Sequence, residues 1–348
     1  MNFYENNIYL GDLQVALESI IRFEKLNNKS IMITGATGLI GSFIIDVLLY
    51  ANKKNNSNIE IYALGRNIER LKRRFEKANS NKLNYIEHDV NDEITFDLKI
   101  DYIIHAASNA YPAVFKNDPV GTMISNIVGT KRLLDYAINH DTKRVMFISS
   151  GEVYGNDDIG IESFTENYSG YIDPIQVRSC YPISKRAAET LCISYSKQFG
   201  LDTIIARPCH CYGANTTAID NRANVQFINN ALQDEDILLR SDGSQVRSYC
   251  YIADAVSAIL TVLINGESCQ AYNISNSEVY ASIFEFAETI AKLTGRKVKF
   301  EKTNSLCKEE ETPIKRQVLN SHKLELLGWS GKYSLKRGIE NTLKILKS

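Results

Sequence analysis

Five short runs rich in β-branched and aromatic residues, Ser30 to Thr34, Ile59 to Leu64, Asn84 to His88, Tyr102 to His105 and Arg144 to Ser149, alternate with stretches of helical periodicity. The runs are nearly continuous in apolar residues, which predicts strands buried on both faces and hence a parallel sheet with helices on each side. A sixth run, Thr203 to Ala206, follows a helical pattern from Lys185 to Gln198. This order is that of an α/β, doubly wound dinucleotide (Rossmann) fold.

Ahead of the sheet, Leu13, Ala16, Leu17, Ile20 and Ile21 recur at helical spacing. They predict one amphipathic helix from about Asp12 to Leu26 that packs as a cap on the main domain. Beyond Arg207 the pattern loosens, with helices expected over Asn224 to Leu232, Ile283 to Leu293 and Leu335 to Leu346 and a strand over Val298 to Glu301. The organisation expected is a helical extension (1–27), a dinucleotide-binding domain (28–207) to which 243–260 returns, and a smaller mixed substrate lobe made mainly of 208–348. A ligand cleft would lie between the lobes.

Charge narrows the partners. Forty Lys plus Arg against forty-one Asp plus Glu leave a net charge of -1, so no basic field draws the chain onto nucleic acid. No apolar run approaches the roughly 18 residues of a membrane span, and the N-terminus has no basic-then-apolar leader. A soluble, cytoplasmic chain without a membrane partner is expected. The seven cysteines, spread from Cys180 to Cys307, read as reduced thiols rather than a disulfide framework. Cys209 and Cys211 flank His210 too closely for a zinc spacing, and no second pair completes four ligands, so no metal site is expected.

Thr34-Gly35-Ala36-Thr37-Gly38-Leu39-Ile40-Gly41 follows the first strand and opens a helix from Ser42. Gly35 permits the tight turn, Gly38 lets the backbone approach a pyrophosphate, and Gly41 allows close packing, while the helix end offers N–H donors. Thr37, Leu39 and Ile40 belong to the same cradle. The second strand ends Ala63-Leu64-Gly65-Arg66 without the acid that would bind a ribose 2'-hydroxyl. Arg66 can instead hold a 2'-phosphate or stack on adenine, which favours NADP(H) over NAD(H); its bland alternative is a solvated charge. Asp89-Val90 closes the third strand, where a carboxylate reaches an adenine amino group.

Tyr181 and Lys185 stand four residues apart, on one face of a helix. A nearby cation is expected to lower the phenol pKa from about 10 and make Tyr181 a proton carrier near neutrality.

Taken together, these motifs resemble the extended branch of the short-chain dehydrogenase/reductase superfamily, the nucleotide-sugar epimerases, dehydratases and decarboxylases. The resemblance runs from about Lys29 to Leu346. Besides the glycines it rests on His88-Asp89-Val90, His105-Ala106-Ala107-Ser108, Asn126-Ile127-Val128-Gly129-Thr130, Ser149 to Gly155, Tyr181 to Lys185 and Gly243 to Arg247. It implies Tyr181 and Lys185 as catalytic, Ser150 as the hydroxyl holding the sugar O4, and Asn126 as an organiser. Ala106, Ala107, Ser108, Asn126 and Lys185 would also meet the cofactor. Ser108, Arg178, His210 and Arg247 would meet a nucleoside-diphosphate sugar, Arg247 by paired hydrogen bonds to the diphosphate. A homodimer is expected.

The triplet Ser150-Gly151-Glu152 bears on the reaction. The dTDP-glucose 4,6-dehydratases carry Thr-Asp-Glu there, and Gly151 removes the Asp that serves as their acid at C6. UDP-glucuronate decarboxylases carry Thr-Ser-Glu, a closer match that keeps Glu152. Arg178-Ser179-Cys180-Tyr181 looks like their Arg-Ala-Cys-Tyr, Ser108-Asn109-Ala110-Tyr111-Pro112 resembles their Ser-Pro-Ala-Ser-Pro, and Phe115 and Pro119 keep register. Three features depart: His210 replaces a substrate-contacting Asn, Ala214-Asn215 replaces Pro-Arg, and Gly65-Arg66 differs from the NAD-binding decarboxylases. The resemblance implies oxidation at C4 followed by chemistry at C5 or C6, as in a UDP-glucuronate decarboxylase or a 4,6-dehydratase. The alternatives are an NADPH-dependent 4-keto nucleotide-sugar reductase, a C4 epimerase, or a non-catalytic cofactor binder.

Overall fold

A computed structural model of the protein describes residues 2–108, 110–156, 160–217, 220–300 and 314–348; Asn109, Glu301 and Cys307, named above, lie outside them. The predicted runs form strands β1 (Ser30–Thr34), β2 (Glu60–Gly65), β3 (Leu83–Glu87), β4 (Tyr102–His105), β5 (Arg144–Ile148) and β6 (Thr203–Pro208). In the second half come β7 (His210–Tyr212), β8 (Ile237–Leu239), β9 (Val246–Tyr251), β10 (Ala271–Ile274), β11 (Tyr280–Ser282), β12 (Val298–Phe300) and β13 (Arg316–Gln317). The main sheet has seven strands in the order β10-β6-β5-β4-β1-β2-β3, all paired in parallel. Strand order reverses between β1 and β4, with β2 and β3 added on one side and β4 onward on the other, and at this switch point the loops part and leave a crevice.

Successive side chains of these strands enter opposite cores, which is why the runs are apolar throughout. Ile31, Ile33, Ile104 and Met146 pack on one side with Phe43, Val47 and Ile259, whereas Met32, Ile103, Val145 and Phe147 pack on the other with Leu133, Ala188 and Cys192. The smaller lobe pairs β9 with β7, β11 and β13, and β8 with β12.

Helices α1 (Asn7–Glu18), α2 (Leu39–Asn55), α3 (Ile68–Phe75), α4 (Pro112–Asn117), α5 (Pro119–Asn139), α6 (Cys180–Phe199), α7 (Ala223–Leu232), α8 (Ile252–Asn265), α9 (Ile283–Thr294), α10 (His322–Glu325) and α11 (Leu335–Lys347) complete the chain. No described helix is long and apolar enough to cross a membrane.

The N-terminal segment departs from expectation. Helix α1 starts earlier, because Asn6 caps it by accepting from the N–H groups of Ile8 and Tyr9. It stops at Glu18, and Arg22 takes a left-handed conformation (φ 59°) before a short turn over Phe23–Leu26. Nor is α1 only a cap on the main domain. Buried Asp12 accepts from the hydroxyls of Tyr251 and Tyr333 and from the Asn341 amide, so the helix ties β9 to α11.

Candidate active site

The turn after β1 is built by close backbone contact. Gly35 has φ 67°, and a β-carbon there would stand 2.6 Å from the Ala106 carbonyl oxygen; one at Gly41 would stand 2.4 Å from the Gly35 oxygen. Larger residues are excluded at both positions. Helix α2 begins at Leu39, three residues before the expected Ser42, with Gly38 as its N-cap and no side chain capping it. Its positive end therefore faces the crevice, a setting for a pyrophosphate. Asn215, where Pro-Arg was expected by resemblance, donates to the Leu39 carbonyl and the Ser42 hydroxyl, both at 2.8 Å, and holds the second lobe against this helix end.

Two adjoining cavities open here. One, of about 300 Å³, is lined by Thr37, Gly38, Arg66, Asp89, Val90, Ala107 and Ser108; the other, of about 210 Å³, by Leu39, Ile40, Gly41, Ser150, Glu152, Tyr181, Lys185 and His210. Gly35, Gly38, Ala106, Ser108 and Tyr111 line both. The first has the cradle, helix end and cations that a dinucleotide's phosphates need, and the second adjoins it with titratable groups.

In the second cavity Tyr181 lies in the first turn of α6, buried, with its ring stacked on Phe115 at 4.6 Å. Its phenol is hydrogen-bonded to the Ser150 hydroxyl, which also accepts from the Glu152 N–H at 3.1 Å. Lys185 is buried and donates to the Ile148 carbonyl at 2.8 Å. The expected lowering of the phenol pKa does not occur in this arrangement. Burial, then Glu152, push Tyr181 up to about 12, outweighing Ser150, Arg222 and Arg178, while burial brings Lys185 down to about 7. His210 is held neutral, its pKa brought to about 3 by burial and by Arg247, Arg222 and Arg178, and its Nδ1 is buried without a partner.

Three expected site residues lie away from the cavity walls. Asn126 is fully buried; it accepts from the Ser108 hydroxyl and donates to the Ser184 hydroxyl, each at 2.9 Å. Ser184 bonds back to the Cys180 and Tyr181 carbonyls, so Asn126 links the cofactor side to the start of α6. Arg178 stands behind Glu152, to which it gives two hydrogen bonds at 3.0 Å. Arg247 is also buried and lines neither cavity; its Nη1 and Nη2 donate to the carbonyls of Val246, Ile314 and Lys315 and to Gln245.

Several lining residues escaped sequence reasoning. Asn67 and Arg70 join Arg66 on the first cavity, and Asp220, Arg222 and Gln317 join the second. Asn67 and Arg70 were findable, lying at the start of α3 directly after Arg66; Asp220, Arg222 and Gln317, the last in β13, are brought near only by the fold.

A parallel sheet with a glycine cradle at its switch point, and a tyrosine, lysine and serine in the adjoining cavity, define a nicotinamide-dinucleotide-dependent enzyme of the short-chain dehydrogenase/reductase type. The chain belongs to the NAD dependent epimerase/dehydratase family, whose model matches residues 31–275. It is 33% identical over 318 residues to UDP-glucuronic acid decarboxylase 6 of Arabidopsis thaliana, covering 90% of this chain and 87% of that one. With UDP-glucuronic acid decarboxylase 1 of Danio rerio it shares 31% identity over 320 residues, 91% of this chain and 72% of the relative. Among solved structures it shares its fold with UDP-glucuronic acid 4-epimerase from Bacillus cereus, solved with UDP-glucuronic acid and NAD (TM-score 0.76, 24% identity, 91% and 99% coverage). The same holds for dTDP-glucose 4,6-dehydratase from Bacillus anthracis in complex with NAD (TM-score 0.75, 21% identity, 91% and 96% coverage).

Proposed function

We propose that the protein decarboxylates a UDP-hexuronate, UDP-glucuronate in the first instance, through a 4-keto intermediate. The observation that carries this reading is the pair Gly151 and Glu152. Gly151 brings no acid, and a β-carbon there would meet Leu319 Cδ1 at 3.2 Å, close enough that the leucine must shift to admit one, while Glu152 faces the cavity. Elimination at C6 is thereby disfavoured, and loss of carbon dioxide requires no such acid.

Gly35 to Gly41, Asp89, Val90 and Arg66 would hold the dinucleotide, which supplies hydride acceptance at C4 and its return. Ser150 orients O4, and Tyr181 takes up its proton in the phenolate form, which the Ser150 hydroxyl favours and burial opposes. In the 4-keto acid the C5–C6 bonding pair passes into the C4 carbonyl as carbon dioxide departs, and the enolate left behind takes a proton at C5, relayed from solvent by Glu152 on the cavity wall, before the hydride returns to C4. Lys185 fixes the end of β5 through Ile148 and leaves a cation close to the phenol.

Glu152→Gln tests the reading. It should stop product formation while reduced cofactor accumulates. A 4-keto nucleotide sugar turned over by this variant at the wild-type rate, with stoichiometric NADPH consumption, would establish the reductase instead. That second reading is favoured by Arg66 and Arg70 on the cofactor cavity, which also support NADP(H) over NAD(H). Val120 and Ile124 on α5 are exposed apolar residues that support a homodimer, for which sedimentation is the check.

A further inference from the structure

Glu152, on the turn Gly151–Tyr154 after β5, lines the second cavity, and Arg178, on the turn Val177–Ser179 before α6, stands behind it. Arg178 Nη1 and Nη2 each meet one oxygen of Glu152 at 3.0 Å, so the guanidinium fork occupies both carboxylate oxygens. The side chains are 29% and 21% exposed, so neither is sealed from solvent.

The neighbouring guanidiniums are held differently. Arg222 is chelated by Asp220, two residues away on the same loop, through three side-chain bonds. Arg247 is spent largely on main-chain carbonyls, which have no freedom to leave. Glu152 is a side chain from a separate turn, able to rotate away, whereas the distant partners of Arg247, Ile314 and Lys315, are main-chain carbonyls. A guanidinium fork accepts any carboxylate in the same bidentate geometry.

We propose that Arg178 is the receptor for the substrate's sugar carboxylate, and that its pair with Glu152 is a latch which an arriving uronate opens by taking Glu152's place. This rests on the UDP-hexuronate reading and adds to it how the acid is recognised. Exchanging one carboxylate for another on the same fork avoids stranding a desolvated cation, which is the costly event at such sites. A neutral hexose makes no exchange, so the latch stays shut and Glu152 stays occupied. Selection of an acidic sugar and release of Glu152 toward the reacting carbons are then one event.

The test is calorimetric titration of the cofactor-loaded protein, in a Tyr181→Phe background that blocks turnover, with UDP, UDP-glucose and UDP-glucuronate. UDP-glucuronate should bind about tenfold or more tighter than UDP-glucose, a margin ordinary for a charged recognition pair. Arg178→Gln should abolish that margin and leave UDP binding in place, and Arg178→Lys should restore part of it. Glu152→Gln, which removes the competing carboxylate, should tighten UDP-glucuronate several-fold and leave UDP-glucose unchanged. A margin that survives Arg178→Gln, or that is lost with Arg222→Gln instead, overturns the proposal, as does weaker uronate binding by Glu152→Gln. Binding of UDP without any uronate margin overturns the latch alone; absence of UDP binding overturns the UDP-hexuronate reading with it.

Discussion

Lys185 and Tyr181 are packed together without a hydrogen bond between them: the ammonium lies 5.8 Å from the centre of the phenol ring and donates to the Ile148 carbonyl at 2.8 Å. Burial dominates both groups, raising the phenol to about 12 and lowering the amine to about 7, so their proton affinities move apart and each group is driven toward its neutral form. Ser150 supplies the hydrogen bond that favours the phenolate.

Tyr181, Ser150 and Lys185 should therefore act as a unit. Tyr181→Phe is expected to keep dinucleotide binding and to lose turnover by roughly 100- to 10,000-fold, the range for a lost general acid or base. Adding Ser150→Ala or Lys185→Met should cost far less than it does in the wild type, because each serves the same proton transfer. Turnover of UDP-glucuronate and fluorescence titration of cofactor check this; additive losses would assign the three separate roles.

Gly151→Asp should destabilise the protein and confer no 4,6-dehydratase activity. The new side chain meets Leu319 and the Pro208 carbonyl in a buried place, an overpacking of about 1–3 kcal/mol before the cost of burying a carboxylate is counted. Urea unfolding measures the loss, and Leu319→Ala should recover part of it. Formation of a 4-keto-6-deoxy product from dTDP-glucose would overturn the argument from the filled space.

Strands β1, β2, β4, β5 and β6 were legible because their burial leaves nearly continuous apolar runs in the sequence, whereas the edge strand β3 is mostly half-buried and was legible from its place in the alternation with helices. Strand β10 was not, since Ala271–Ile274 is four residues long and carries Asn273, whose side chain bonds Tyr154, Phe164 and Asn320 rather than packing in an apolar layer. The cradle glycines and the tyrosine–lysine pair were visible because their spacing is local. The partners of Glu152, Arg247 and Asp12 were not: they lie 26, 67 to 68, and 239 to 329 residues away, and no periodicity encodes such contacts. The phenol pKa was misjudged for a related reason, as spacing reports the nearby cation and not the burial that outweighs it.

Stability should fall on acidification below neutrality. His105, held by burial and then by Lys185, and His210 both have folded pKa values of about 3 against an ordinary 6.5. Between those values the unfolded chain binds more protons, so stability is present above about 6.5 and is lost as pH falls toward 3. Asp254, raised by burial to about 6, works in the opposite direction below that pH. Urea unfolding at pH 7, 6 and 5 should show the decline, and His210→Gln should flatten it. An unchanged slope in the variant would mean that His210 is already protonated in the folded protein.

Cofactor choice should follow Arg66 and Arg70 together. Both line the first cavity, and among the described residues neither has an ion-pair partner. Asn67 between them is used as the cap of α3, accepting from the Arg70 N–H at 2.8 Å, which fixes where the helix starts and so where Arg70 projects. The one acid on that lining is Asp89, and one of its oxygens is occupied by the Asn91 N–H. Two unpaired guanidiniums lose little by standing in water, yet each gains a charge-assisted hydrogen bond from a 2'-phosphate that a ribose hydroxyl does not provide. NADP(H) should accordingly bind more tightly than NAD(H). Arg66→Ala and Arg70→Ala should each weaken it by roughly tenfold, the worth of about one such bond, with NAD(H) unaffected. Raising the salt concentration should narrow the difference, since this cavity is open to solvent. Fluorescence titration with both dinucleotides decides the matter: if NAD binds as tightly as NADP and neither substitution changes either affinity, these arginines do not read the phosphate.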